Sequence, residues 1–123
     1  MKNDFEGALP VMAPGAGLHF VGIGGIGMSG LAGMLAEQGY KVSGSDRGAD
    51  RPENRRIIGA LENAGVRIFP QDGSFRKTCK PDFLIYSSAI EEDNPDFAAA
   101  PDIPRIHRAA ALAAAINAMH GCC

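Results

Sequence analysis

Positive charge is scarce in this 123-residue chain, where 12 Lys and Arg stand against 14 Asp and Glu for a formal net charge of −2. Without a basic field, nucleic-acid binding has no electrostatic support, and any arginine that matters acts locally. Cysteine is scarce too. Cys79, Cys122 and Cys123 are an odd count without metal-ligand spacing, so they read as free thiols and no metal is expected. No stretch approaches the ~18 apolar residues of a membrane span, and no charged segment followed by an apolar one opens the chain. A cytoplasmic protein without membrane contact is the expectation. No internal repeat is visible, and no GxxxxGK[ST] loop places a lysine to reach a γ-phosphate.

Glycine, by contrast, is concentrated where it bears on function. The apolar run Leu18 to Val21 meets Gly22, Gly24, Gly25 and Gly27, and a helical pattern follows from about Ile26, with Met28, Leu31, Ala32 and Leu35 on one face. Gly22, Gly24 and Gly27 fit GxGxxG, whose glycines allow the turn, the approach of a pyrophosphate to the backbone, and close packing of helix on strand. A helix beginning there turns unpaired N–H groups and the positive end of its dipole toward an anion. Asp46 follows the next apolar stretch, where this motif expects a carboxylate that reaches a ribose hydroxyl.

Taken in order, residues 1–17 mix charge with Pro10, Pro14, Gly15 and Gly17 and read as a flexible leader. Gly39 should cap the first helix in the left-handed conformation. Asp50 to Glu53 resembles a capping box for a second helix running to about Ala64, with Ile57, Ile58, Leu61 and Ala64 inward. A short strand over 66–69, a loop over 70–80 and a buried strand over 83–86 come next. Asp93 or Asn94 can cap a short helix from Pro95, which Pro101 stops. A brief edge strand over 103–106 then leads through His107 and Arg108 into an alanine-rich helix over 109–119. Strands alternating with helices imply right-handed crossovers and an α/β Rossmann-like three-layer domain, with a parallel five-stranded sheet ordered 3-2-1-4-5.

In such a sheet ligands bind beyond the carboxyl ends of the strands, beside the first. Those ends carry Gly22 to Gly27, Ser45-Asp46-Arg47, Ser87-Ser88 and His107-Arg108, an inventory of backbone donors, a carboxylate, hydroxyls and cations suited to a nucleotide diphosphate. Simpler roles stay open for several of them. Asp46 could cap a turn, Ser87 and Ser88 could satisfy local backbone groups, and His107 and Arg108 could be solvated residues at a helix start. No nucleophile, base and orienter come together, so the site reads as a binder.

The blocks His19 to Ala32, Val42 to Asp46, Ser87 to Ile90 with Asn94-Pro95, and Ile103 to Ala109 resemble, in order, the N-terminal domain of the Mur ligase family, most closely its UDP-N-acetylmuramate:L-alanine ligases. The related murein-peptide ligases share the first block. The resemblance implies an ATP- and magnesium-dependent ligase of peptidoglycan synthesis in the bacterial cytoplasm, whose first domain holds the UDP part of UDP-N-acetylmuramate. On that likeness Gly22, Gly24, Gly25, Ile26 and Gly27 take the diphosphate. Ser45, Asp46 and Arg47 lie near the uridine, and Ser87, Ser88, His107 and Arg108 line the phosphate and sugar side. Two departures stand out: Ala110 replaces a family carboxylate, and Pro70-Gln71-Asp72 stands where many members show Gly-His. Residues 18–123 are therefore expected to form the substrate-binding domain alone, with central ATPase and C-terminal domains absent, no cofactor of its own, and a monomeric or weakly dimeric state. The alternatives are a small NAD-binding module and an interaction domain that has kept the fold but not the ligand.

Overall fold

The computed structural model describes residues 15–25 and 27–120, with side chains as far as residue 116. Most of the expected leader, Ile26, Cys122 and Cys123 lie outside the described residues. The elements are β1 (Gly17–Val21), α1 (Met28–Glu37), β2 (Lys41–Ser45), α2 (Arg55–Asn63), β3 (Arg67–Phe69), β4 (Phe83–Tyr86), α3 (Pro95–Ala99), β5 (Arg105–His107) and α4 (Arg108–His120), with 3-10 turns at Pro52–Asn54 and Ser74–Lys77. All neighbouring strands pair in parallel, in the order β3-β2-β1-β4-β5.

The central strand shows why both faces must be covered, because its side chains alternate between two cores. Leu18 and Phe20 pack with Met28, Leu31, Ala32 and Leu35 of α1 and with Ala111 and Ala115 of α4. Val21 packs on the other face with Phe75, Leu84, Phe97 and Ile103. His19 shares that second face, fully buried. Gly44 of β2 has a packing reason of its own, since a Cβ there would lie 2.7 Å from the Cβ of Ile23. Its absence lets the glycine turn fold down onto β2.

Several local expectations are corrected. α1 starts at Met28, not near Ile26, because Gly27 is left-handed (φ 81°) and acts as the N-cap residue. The capping box at Asp50 does not form; a 3-10 turn with no side-chain cap precedes α2, and Asn54 Nδ2 ties the segment down by donating to the Gly48 carbonyl (2.8 Å). Ile57 and Ala64, the latter just past the end of α2, are exposed, with Ile58 and Leu61 buried. The loop at 70–80 contains the Ser74–Lys77 turn, which buries Phe75. β5 is shifted to Arg105–His107, and Pro104 just before it contributes only its carbonyl, which accepts from Leu84 N–H (2.9 Å), so its missing N–H interrupts nothing. Gly39 (φ 98°) and Gly65 (φ 95°) end α1 and α2 as expected, and Asn94 is the cap of α3, its side chain accepting from the Asp96 N–H (2.9 Å).

Candidate nucleotide site

Immediately after β1 the chain turns back on itself. Gly22 (φ 80°) lets it leave the strand, and the N–H groups of Gly22 and Ile23 both donate to the Ser45 carbonyl at the end of β2 (2.9 and 2.8 Å). Gly25 N–H closes onto the Gly22 carbonyl, and Met28 N–H and Ser29 N–H both turn back to the Gly25 carbonyl (3.0 and 3.4 Å). Two of the first helical N–H groups are therefore already partnered. Gly27 N–H has no acceptor among the described residues.

Asp46 holds this turn from below. Its Oδ2 accepts from Gly24 N–H (2.9 Å) and its Oδ1 from Gly48 N–H (2.8 Å), so one carboxylate fixes both the glycine loop and the turn after β2. That leaves only its second lone pairs for a ligand. The local role and the ligand role are compatible.

Around these groups lies a cleft of about 220 Å³, lined by Gly22, Gly25, Asp46, Arg47, Gln71, Ser87, Ala89, Ile90, Glu91 and Asn94. Arg47 reaches across its mouth toward Glu91 (3.5 Å), with both side chains about two-thirds exposed, which makes the pair worth little to stability. A second cleft of about 580 Å³ adjoins it beyond β2 and β3 and shares Asp46, Arg47 and Gln71. Arg108, at the start of α4, lies against the glycine turn: a Cβ on Gly27 would sit 3.3 Å from its Cδ and 3.4 Å from its Nη1. Among the described residues Arg108 has no carboxylate partner. A guanidinium held beside the positive end of α1 leaves two like polarities unneutralised, and an anion resolves that.

The expected site residues thus separate. Gly22, Gly25, Asp46, Arg47 and Ser87 surround one cleft, Gly24 and Gly27 belong to the turn beside it, and Arg108 lies over that turn. Ser45 is fully buried and its hydroxyl donates into the core, to Asp96 Oδ2 (2.5 Å), so its side chain faces away from the open end of the sheet. His107 caps α4: its Nδ1 accepts from Ala109 N–H (3.1 Å), which leaves Nε2–H to donate to Ser88 Oγ (3.0 Å). Neither Ser88 nor His107 lines the cleft. Sequence reasoning missed Gln71, Ile90 and Glu91 as lining residues, and read Asn94 only as a cap.

It also missed the buried network behind the cleft. Asp96, fully buried, accepts from His19 Nε2 (2.9 Å), from Ser45 Oγ and, through Oδ1, from Gly73 N–H (2.9 Å). Because a carboxylate only accepts, His19 carries its proton on Nε2, and Nδ1 takes Ser43 Oγ–H (2.8 Å). The imidazole stacks on Phe75, 3.7 Å between ring centres. The visible signal was a lone histidine inside a fully apolar strand.

Burial lowers the His19 pKa below the ordinary value of 6.5, outweighing the hydrogen bond and the charge of Asp96, which both raise it. The neutral ring is the native form. With the folded pKa depressed, the unfolded chain binds the extra proton first as pH falls, so stability is full above about pH 6.5 and declines below it. Urea unfolding at pH 7.5 and pH 5.5 should show a lower midpoint at the acid value, and the difference should shrink in His19→Gln. An equal midpoint at both pH values would contradict the neutral assignment.

A different cleft, about 530 Å³, lies at the amino ends of the strands among Gly17, Tyr40, Lys41, Arg67, Cys79 and Lys80. It is roomier but remote from the glycine turn, and parallel sheets present their ligands at the other end. Among the described residues no group of three or more His, Cys, Asp and Glu side chains could hold a metal ion, and no helix is long and apolar enough to cross a membrane.

Comparison with known proteins gives the family. The Mur ligase family, catalytic domain, matches residues 17–120. The UDP-N-acetylmuramate–L-alanine ligase of Synechococcus sp. (strain JA-2-3B'a(2-13)) is 47% identical over 105 residues, covering 84% of this chain and 21% of that protein. The enzyme of the same name from Syntrophomonas wolfei is 43% identical over 107 residues, covering 85% and 22%. Among solved structures, the UDP-N-acetylmuramate:L-alanyl-gamma-D-glutamyl-meso-diaminopimelate ligase of Neisseria meningitides superposes with a TM-score of 0.64 at 26% identity, over 76% of this chain and 28% of that one. The chain spans about a fifth of the length of the curated relatives it matches. With a parallel sheet in the order 3-2-1-4-5, a glycine turn at its carboxyl end and a family match over nearly all the described residues, this chain belongs to the Mur ligase family.

Proposed function

We propose that residues 18–123 form the UDP-N-acetylmuramate-binding domain of an ATP-dependent UDP-N-acetylmuramate:L-alanine ligase of peptidoglycan synthesis, working in the bacterial cytoplasm. The observation that carries this reading is the pairing of Arg108 with the Gly27 turn, a cation without a carboxylate partner beside a helix N-terminus. The diphosphate lies over Gly22, Gly24, Gly25, Ile26 and Gly27. The uridine extends past Asp46 and Arg47, with Ser45 supporting them from beneath. Ser87 contacts the sugar side, and Ser88 acts through the hydrogen bond that orients His107. The murein-peptide ligases are the nearest alternative assignment, because their structures share the fold.

ATP and magnesium belong to the parent enzyme's chemistry and not to this loop. The loop contains no lysine, no GK[ST] sequence follows it within the chain, and the described residues offer no metal cluster. The chain by itself should bind UDP and UDP-N-acetylmuramate with a Kd on the order of 10 μM to 1 mM, as a monomer or weak dimer, with no affinity for nucleic acid. It should neither bind ATP at a separate site nor hydrolyse it. Isothermal titration with UDP, the full substrate, NADH and ATP tests this on one preparation. Saturable ATP binding that UDP does not displace would refute it, and NADH binding in preference to UDP would favour a dinucleotide module.

A further inference from the structure

We propose that Gln71 reads the base of the bound nucleotide, the free lone pair of its side-chain carbonyl accepting from a ring N–H such as the N3–H of uracil. The orientation of this amide follows from Asp96 step by step. Asn94 Oδ1 accepts from Asp96 N–H (2.9 Å), so the amide nitrogen of Asn94 donates to Gln71 Oε1 (2.9 Å). Ser45 Oγ–H is committed to Asp96 Oδ2, so Ser45 Oγ accepts from Gln71 Nε2 (3.2 Å). Since a carboxylate cannot donate, the ring of hydrogen bonds through Asp96, Ser45, Gln71 and Asn94 has one direction.

An amide has two N–H donors and two acceptor lone pairs. Gln71 uses one of each, and its side chain has no further partner among the described residues. Such a half-satisfied amide stands where the 220 Å³ cleft beside the glycine turn meets the 580 Å³ cleft. The larger one is lined by Ile58, Ile68, Phe69 and Pro70, and also by Asp50, Glu62 and Asp72. Apolar side chains next to an acceptor in fixed orientation suit a planar heterocycle: the face packs, the edge is read.

The inference rests on the nucleotide reading above, and the experiment separates the two. The chain is titrated with UDP and with N3-methyl-UDP, which has lost the donor. The wild-type protein should bind the methylated nucleotide at least about tenfold more weakly. Gln71→Met and Gln71→Leu, checked for native circular dichroism, should lose about tenfold in UDP affinity, leave N3-methyl-UDP unchanged, and so abolish the discrimination. No UDP binding by the wild-type chain would sink the nucleotide reading and this inference together. UDP binding with discrimination intact in both variants would overturn only the role of Gln71, as would an equal loss for both nucleotides, which marks a residue that merely shapes the cleft.

Discussion

Replacing Asp96 by alanine should cost the domain about 3–5 kcal/mol, because each buried neutral donor left without its acceptor costs about 1–3 kcal/mol. Three donors lose their acceptor at once: His19 Nε2, Ser45 Oγ and Gly73 N–H. Two of them cannot turn to water, because His19 and Ser45 are fully buried. Domains of this size have about 5–15 kcal/mol in total, so the variant should stand near its unfolding threshold at room temperature. Asp96→Asn keeps one acceptor and should lose less than the alanine variant. Urea midpoints at constant slope measure both. A midpoint for Asp96→Ala within about 1 kcal/mol of wild type would mean the network contributes no more than a surface contact.

Gly25→Val should abolish UDP binding, a loss of at least about a hundredfold or ~2.7 kcal/mol, while the fold survives. Gly25 is exposed and lines the cleft, and its added Cβ would meet only the Gly22 carbonyl at 3.3 Å and Met28 Cγ at 3.8 Å. The remaining methyls would occupy the space a phosphate needs. Gly24→Val is a poorer test than its place in the motif suggests. A Cβ on Gly24 falls 2.9 Å from Asp46 Oδ2, the oxygen that holds the Gly24 N–H, so that substitution also damages the turn. Calorimetry on folded Gly25→Val with unchanged UDP affinity would show that the diphosphate lies elsewhere.

The frame of this protein was legible because its signals are local. An apolar run ending in glycines, a helix with one apolar face, and Gly39 and Gly65 at helix ends each depend on residues within one or two turns, and together they determined the five parallel strands and their order. Positions that depend on long-range partners were not legible. His19 and Asp96 are 77 residues apart and meet only because β1 and α3 face each other across the second core. Gln71 sits in a stretch with no periodicity, and its place in the cleft follows from Ser45 and Asn94 holding its two ends. Ser45 is the converse case. Its position at the carboxyl end of β2 suggested the ligand, but the strand's alternation turns its side chain inward.

The carboxyl-end glycine turn, and no other surface, should take the nucleotide. Amide chemical shifts of the nitrogen-15-labelled chain, followed during a UDP titration, locate it. Saturable shifts should gather at Gly22, Gly24, Gly25, Gly27, Arg47 and Arg108, with the strands' amino ends unmoved. Shifts centred instead on Lys41, Arg67 and Lys80, the cationic cleft at the opposite end of the sheet, would contradict this placement.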